Sequence, residues 1–398
     1  MKISKSSIRY GLILLLLLLP DYFSNSSFRL FENVALVLMV VHIYNKHYKI
    51  SRYTIIMIVY LVYLISITYI QGNGNIHLII SNLKVVLLIM LMESEIQYDV
   101  YKGIHVLFGV VALYSLINYF SLFLFPNGVY QVKTVWNEWY TDSNAYWIFG
   151  YKNSHASWYI LLELISAIQY YISQNKKNKI ILYVVVFVSI TSQIALHSST
   201  GLVATILGAI GIMCLTSRKI EKLKLYVNAN IVTIIYFILA ILIMADAATF
   251  LGPIIKNLFS KDLTFNNRTH AWAVALVNII NKPFFGWGIL SSSQTKAVLG
   301  SLTYNHAHNQ WLQILWQGGV VLAGIFATFI LTITKGINKI RNQCLKGCIV
   351  FFYISILIEF MFEVLLDSQI SWMILLLIFV FSNHKEKSDD FSSQGLRG

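Results

Sequence analysis

Apolar runs recur along the chain from Gly11 to Phe381, separated by short polar breaks that carry most of the basic residues. Cutting at those breaks leaves twelve apolar stretches, near residues 10–25, 30–44, 53–70, 76–92, 104–125, 154–172, 180–196, 199–216, 226–245, 311–334, 347–364 and 369–382. A bilayer needs ~20 residues of helix, and the shorter stretches reach that length by borrowing flanking Tyr, Trp and Ser. The thinnest break, only His197 and Ser198, separates the seventh stretch from the eighth. The pattern predicts an all-α polytopic membrane protein with about twelve transmembrane helices and a large extracytoplasmic loop between the ninth and tenth. It divides the chain into 1–245 (helices one to nine), 246–310 (the loop, with short helices), 311–382 (helices ten to twelve) and 383–398 (a cytoplasmic tail).

Composition excludes the alternatives. Of 398 residues, 57% are hydrophobic and only 12% charged, too apolar for a soluble enzyme or a disordered chain. Three cysteines (Cys214, Cys344, Cys348) are too few and too scattered for a disulfide framework or a zinc site. The net charge of +13 does not point to nucleic acid, because the basic residues are confined to loops between apolar runs. Twenty-one of the thirty Lys and Arg fall in one alternating set of loops and eight in the other. The positive-inside rule then places both termini in the cytoplasm of a multi-pass membrane protein. Lys2, Lys5 and Arg9 before the run from Gly11 to Leu19 imitate a signal peptide, but Pro20-Asp21-Tyr22 offers no small-residue cleavage site, so a retained first helix is expected. No phosphate-binding glycine loop appears, so a nucleotide-driven process is not expected.

Two segments predicted to face outward are long. Residues 126–153 are rich in aromatics (Tyr130, Trp136, Trp139, Tyr140, Tyr146, Trp147), which suit either a sugar-lined groove or an interfacial belt. Residues 246–310 hold most of the remaining outward polar chemistry. Asn267-Arg268-Thr269-His270 opens a helix-spaced run through Trp272, Ala275, Leu276 and Ile279, which Asn281-Lys282-Pro283 ends. Phe285-Gly286-Trp287-Gly288 is a tight turn, and Asn305-His306-Ala307-His308-Asn309 leads into the helix of Trp311, Leu312, Leu315 and Trp316, with Gly318-Gly319 beyond.

His308 and Asn309 thus open a membrane helix, a position that suits a titratable base and anion contacts from free backbone N–H groups. Arg268 carries the planar, permanently charged fork that grips phosphate. On spacing alone, solvated surface or a helix cap is the commoner fate of such residues. His306 and His308 at i, i+2 also suggest a metal, but no third ligand stands nearby in a recognisable spacing, so no metal and no cofactor is expected.

The arrangement Arg268…Trp272…Asn281-Lys282-Pro283-Phe284-Phe285-Gly286-Trp287-Gly288…His306-Ala307-His308-Asn309-Gln310-Trp311-Leu312-Gln313-Ile314-Leu315…Gly318-Gly319 resembles the O-antigen ligase / Wzy polymerase superfamily. The resemblance is specific over Arg268 to Gly319; elsewhere it is one of helix count. It implies metal- and nucleotide-independent glycosyl transfer from an undecaprenyl-pyrophosphate-linked oligosaccharide, as in an O-antigen, capsule or exopolysaccharide polymerase. A ligase acting on lipid A core is the neighbouring alternative. It also implies that Arg268 binds the donor pyrophosphate and that His308 is the base or a phosphate contact. A flippase and a chain-length regulator are the expected protein partners, alongside membrane lipid. Many members carry a second Arg at the outer start of a middle helix, where this chain has His197-Ser198-Ser199-Thr200-Gly201. Lys152 and Lys84 are the candidates to replace it, Lys152 as the start of an outward helix and Lys84 as an ionisable group within a span. For Lys84, snorkelling or pairing with Glu93 or Glu163 is the competing account. Asn309, His306 and Trp287 complete the expected binding set. Trp316-Gln317 replaces the acidic residue that often precedes the glycine of the histidine motif. A transporter or lipid-linked oligosaccharide flippase would distribute ionisable residues through its spans and show detectable halves, whereas here the informative polar residues are concentrated in one outer loop.

Overall fold

The structure, a computed structural model, describes residues 5–23, 29–44, 46, 48–137, 140–217, 228–244, 268–299 and 306–383. Side chains at 5, 29–30, 134–137, 140–142, 243–244 and 268–270 lie outside that description. The chain is mostly helical: α1 (Lys5–Leu17), α2 (Arg29–Tyr44), α3 (Arg52–Ile70), α4 (Ile76–Tyr98), α5 (Val100–Leu124), α6 (His155–Ser173), α7 (Lys176–Ala195), α8 (Ser199–Thr216) and α9 (Ala229–Met244) come first. Two short helices follow, α10 (Arg268–Asn281) and α11 (Ser292–Leu299). The last three are α12 (Gln310–Lys339), α13 (Gln343–Phe362) and α14 (Gln369–Asn383). Seven of these, α3, α4, α5, α7, α8, α12 and α13, are long and apolar enough to cross a membrane. Helices also occupy the other five predicted stretches, as α1, α2, α6, α9 and α14.

Side-chain caps set the starts. Ser51, Asn75, Asp99, Asn175 and Asn342 each accept a backbone N–H from the first turn of the helix that follows. The fourth helix runs beyond the predicted Met92 to Tyr98, because Glu93 and Glu95 find partners in Thr54 and in His42 and Lys46. Around α6, buried from His155 to Gln169, the bundle closes. Small residues let α8 meet α13 closely: Cβ atoms at Gly208 and Gly211 would come within 3.0 Å of Phe352 and of the Cys348 carbonyl, and Ser355 donates to the Ala204 carbonyl across the seam.

One expectation is corrected. Residues 126–153 are not all loop and the chain is not all-α: strands β1 (Tyr130–Asn137), β2 (Tyr140–Trp147) and β3 (Gly150–Tyr151) form an antiparallel sheet in that order. Alternating Val, Thr and aromatic residues in Tyr-Gln-Val-Lys-Thr-Val-Trp suit a half-exposed strand, and Gly128 (φ +90°) turns the chain into it. Lys152 does not begin a helix; it opens a single 3-10 turn (Lys152–Ser154) ahead of α6.

The sharpest feature lies within α12. At Gly319 (φ +62°, ψ −163°) the helix breaks, in a region of backbone space open only to glycine. The break exposes main-chain groups that lipid could not satisfy. The turn at 283–288 takes them: the N–H groups of Trp287 and Gly288 donate to the carbonyls of Trp316 and Gln317, and the Val320 N–H donates to the Pro283 carbonyl. Tyr63 closes the remaining carbonyl, that of Gly318, at 3.1 Å. A Cβ at Gly286 would lie 2.5 Å from the Gln317 main chain, and one at Gly319 would lie 2.3 Å from Phe284. Gly319→Ala is therefore expected to cost on the order of 2 kcal/mol or more, read as a clear drop in thermal unfolding temperature in detergent. Gly324→Ala on the same helix, with nothing within 4 Å of its Cβ, should leave that temperature unchanged.

Candidate active site

Three amide side chains build the site. Asn309 caps α12, its Oδ1 accepting the N–H groups of Trp311 and Leu312, while its Nδ2 donates to the Met361 carbonyl at 3.0 Å. Gln310 Oε1 accepts the N–H groups of Leu365 and Leu366 at 2.7 and 3.0 Å. Gln313 Oε1 accepts the Ala307 N–H at 2.9 Å. The histidine segment is thereby bound to the segment joining α13 to α14, and two distant stretches of sequence become one surface. Two of the N–H groups at this helix start, those of Trp311 and Leu312, are thus already taken by Asn309.

His308 holds a left-handed backbone (φ +49°), which turns its ring back towards its neighbour, and the two imidazoles stand 4.0 Å apart. The His308 N–H donates to His306 Nδ1 at 3.1 Å. His308 Nδ1 lies 3.5 Å from Glu363 Oε2, and Asn153 Nδ2 donates to Glu363 Oε1 at 2.8 Å. One ligand-type atom from each of His306, His308 and Glu363 falls within 4.8 Å of the others. The third group that spacing did not reveal is thus Glu363, supplied from 55 residues further along the chain.

His306 also borders a cavity of about 330 Å³. Leu61, Leu64, Leu78 and Val85 form its apolar side, and Asn82, Gln310, Gln313 and Asp367 its polar side. Asp367 opens onto the cavity, yet the surrounding protein raises its carboxyl to about 6, helped by the charges of Asp21 and Glu363. Glu363 and Asp367 are not among the residues expected from the sequence, whose informative polar residues lie in the long loop. Asp367 lies in the short break before the last apolar stretch, whereas Glu363 falls within the end of the stretch before it.

The other expected residues are dispersed. Arg268 begins α10, and its side chain lies outside the described set. Lys152 neighbours Asn153, its Nζ 5.7 Å from the Tyr151 ring. Lys84 pairs with Glu32 of α2, which corrects the expected pairing with Glu93 or Glu163. Trp287 is held structurally: Nε1 donates to the Asn278 carbonyl at 2.9 Å, and Lys282 Nζ stands 3.9 Å over its ring.

A helical membrane bundle with an ordered polar end that carries paired histidines defines a membrane-embedded protein with its chemistry at one face. Residues 182–327 match the family model described as O-antigen ligase, the superfamily that the Arg268–Gly319 motifs resemble. The matched segment runs from α7 into α12 and includes His306, His308, the 283–288 turn and the helix break. The description of that family points to ligase-type chemistry, and the match covers 146 of the 398 residues. Among curated proteins no match is found.

Stability should register Asp367. The unfolded chain ionises this carboxyl in the ordinary aspartate range, and the folded chain only near 6. Between those values each rise in pH weakens the folded state, and the loss is complete above about 6. Asp367→Asn should raise the unfolding temperature at pH 7–8 and leave it unchanged near pH 4; thermal scans across pH check this.

Proposed function

We propose that this protein is a polysaccharide polymerase of the bacterial cytoplasmic membrane, with both termini cytoplasmic and the His308 end facing outward. It joins glycan units carried on undecaprenyl pyrophosphate. The observation that carries the reading is the His306–His308–Glu363 cluster: His306 borders the cavity, and both histidines lie inside the segment that matches the family. In this reading an acceptor sugar hydroxyl attacks the anomeric carbon of the donor glycan. The bond from that carbon to the pyrophosphate oxygen breaks, and undecaprenyl pyrophosphate leaves as an anion. Glu363 stands 3.5 Å from His308 Nδ1 and favours the charged ring, while Nε2 takes the hydroxyl proton. Asn153 fixes Glu363, so it positions the base without touching substrate. Arg268 and Lys152 balance the leaving pyrophosphate, and Asn309 acts through the cap that sets His308 in place.

His306 bears on the metal question. Its Nδ1 accepts the His308 N–H, so the neutral ring carries its proton on Nε2. That tautomer donates well to a phosphate or sugar oxygen and is a poor metal ligand, because the outward nitrogen has no free lone pair. The metal-free reading is preferred on that ground.

A ligase, the type named in the family description, shares this donor chemistry and differs in its acceptor. The test uses purified protein in liposomes with undecaprenyl-pyrophosphate-linked repeat units alone, with no nucleotide and with chelator present. A polymerase should give a lipid-linked ladder spaced by one repeat, with release of undecaprenyl pyrophosphate. A ladder that appears only after a second acceptor lipid is added would assign the ligase; one that needs a divalent cation would overturn the metal-free chemistry. No new bond under any condition would sink both enzyme readings.

The variants are equally specific. His308→Gly should retain thermal stability to within about 1 kcal/mol, since glycine is at ease at this φ, while forming no ladder. Arg268→Lys should be nearly as damaging as Arg268→Ala, because both lose the bidentate fork. A full ladder from His308→Gly would remove His308 from the mechanism.

A further inference from the structure

The outer sheet carries a feature that the chemistry above leaves unused. Tyr22, Tyr130, Tyr146 and Tyr151 form an unbroken row of rings, with successive centroids 5.7, 5.3 and 5.4 Å apart. Strand register makes the row: Tyr130 stands opposite Tyr146, and Tyr146 opposite Tyr151, so all three share one face of the sheet. None of the four is buried; Tyr22 is 42% exposed and the others are partly so.

The row is built up at both ends. The Tyr22 N–H donates to the Ile148 carbonyl at 3.2 Å, which pins the turn Asp21–Phe23 to the sheet. Gly150 (φ +94°) clears a place for Asp21, whose Oδ2 lies 2.1 Å from where a Cβ would stand. The Asp21 carboxylate acts on both Tyr130 and Tyr146. At the other end come Lys152, with Nζ 5.7 Å from the Tyr151 ring, and Asn153, bonded to Glu363. The row therefore runs into the cluster of Glu363 and His308.

A lone tyrosine at a membrane boundary is adequately explained as an interfacial belt residue. Four rings in contact, with a carboxylate among them and an ammonium at one end, match a different surface. Aromatic faces cover the apolar C–H faces of sugar rings, and carboxylate, ammonium and phenol groups bond their hydroxyls. We infer that this row is a glycan track, holding the hydroxyl-rich polysaccharide chain beyond the reacting sugar. The inference rests on the glycosyl-transfer reading for its substrate, and its continuity with Asn153 and Glu363 fixes where the chain enters the site.

The probe is lipid-free surface polysaccharide of the host cell, cleaved into short and long fragments and titrated onto the full-length protein in detergent by calorimetry. Wild type should bind long fragments more tightly than short ones. Tyr146→Ala and Tyr130→Ala should each lose about threefold to tenfold in affinity for long fragments, the scale of one aromatic contact. Tyr146→Phe, which keeps the ring, should retain most of it. Tyr22→Ala, on the exposed turn, gives the same reading should a sheet variant fail to fold. Equal affinity for all lengths in wild type, or unchanged binding in the Ala variants, overturns the track. So do Ala variants that lose thermal stability in lipid while binding fragments normally, the outcome that would assign a belt. The ladder assay is separate: wild type that binds fragments through these tyrosines yet releases no undecaprenyl pyrophosphate would refute glycosyl transfer and leave the track standing.

Discussion

A membrane leaves no backbone group the option of bonding water, and the architecture of the polar end follows from how one violation of that rule is repaired. The helix α12 is broken at Gly318-Gly319, and the turn from Pro283 to Gly288 lies against the break like a splice, exchanging main-chain hydrogen bonds with both sides. From that anchorage the chain is fixed in turn against α3, where the Ile289 N–H donates to Thr68 Oγ1 at 2.9 Å. The wall of the cavity at Gly288 to Leu290 is placed by the same contacts. The glycines here are requirements of backbone geometry, and their side of the motif serves structure.

The second organising element is amide hydrogen bonding at the start of α12. Asn309, Gln310 and Gln313 each spend a side chain on main-chain groups, and together they hold the histidines beside the segment from Met361 to Leu366. Acids and histidines thus come from two helix ends that are fixed to one another, while the candidate cations, Arg268 and Lys152, come from separate elements. In the proposed reaction that division would give a rigid base and a more open binding surface for the lipid pyrophosphate.

Much of this was legible in the residues, and the failures are instructive. Apolar run length located helices at every predicted stretch, because a bilayer imposes one length scale on every span. The start of α10 at Arg268 and its end at Asn281 followed from helix spacing and from Lys282-Pro283. The sheet was missed because aromatic content drew attention away from the period-two alternation in Tyr130 to Trp136. Glu363 was missed because the contact that makes it relevant depends on Gln310 and Asn309 bridging to another helix end, a tertiary event with no local trace. Lys84 was correctly singled out as anomalous within a span, but its partner Glu32 lies 52 residues earlier, and spacing cannot choose among distant acids.

That ion pair has a bearing on biosynthesis. Glu32 emerges from the ribosome with the second helix, well ahead of Lys84 in the fourth. Left alone in lipid, the Lys84 charge costs on the order of 3 kcal/mol near the middle of its helix, and Glu32, in the first turn of α2, offsets that cost. The first four helices are therefore best released as a packet, with the early carboxylate sheltered by the insertion machinery until its ammonium partner has been made. The order in which the chain is synthesised is written into where this pair of charges is kept.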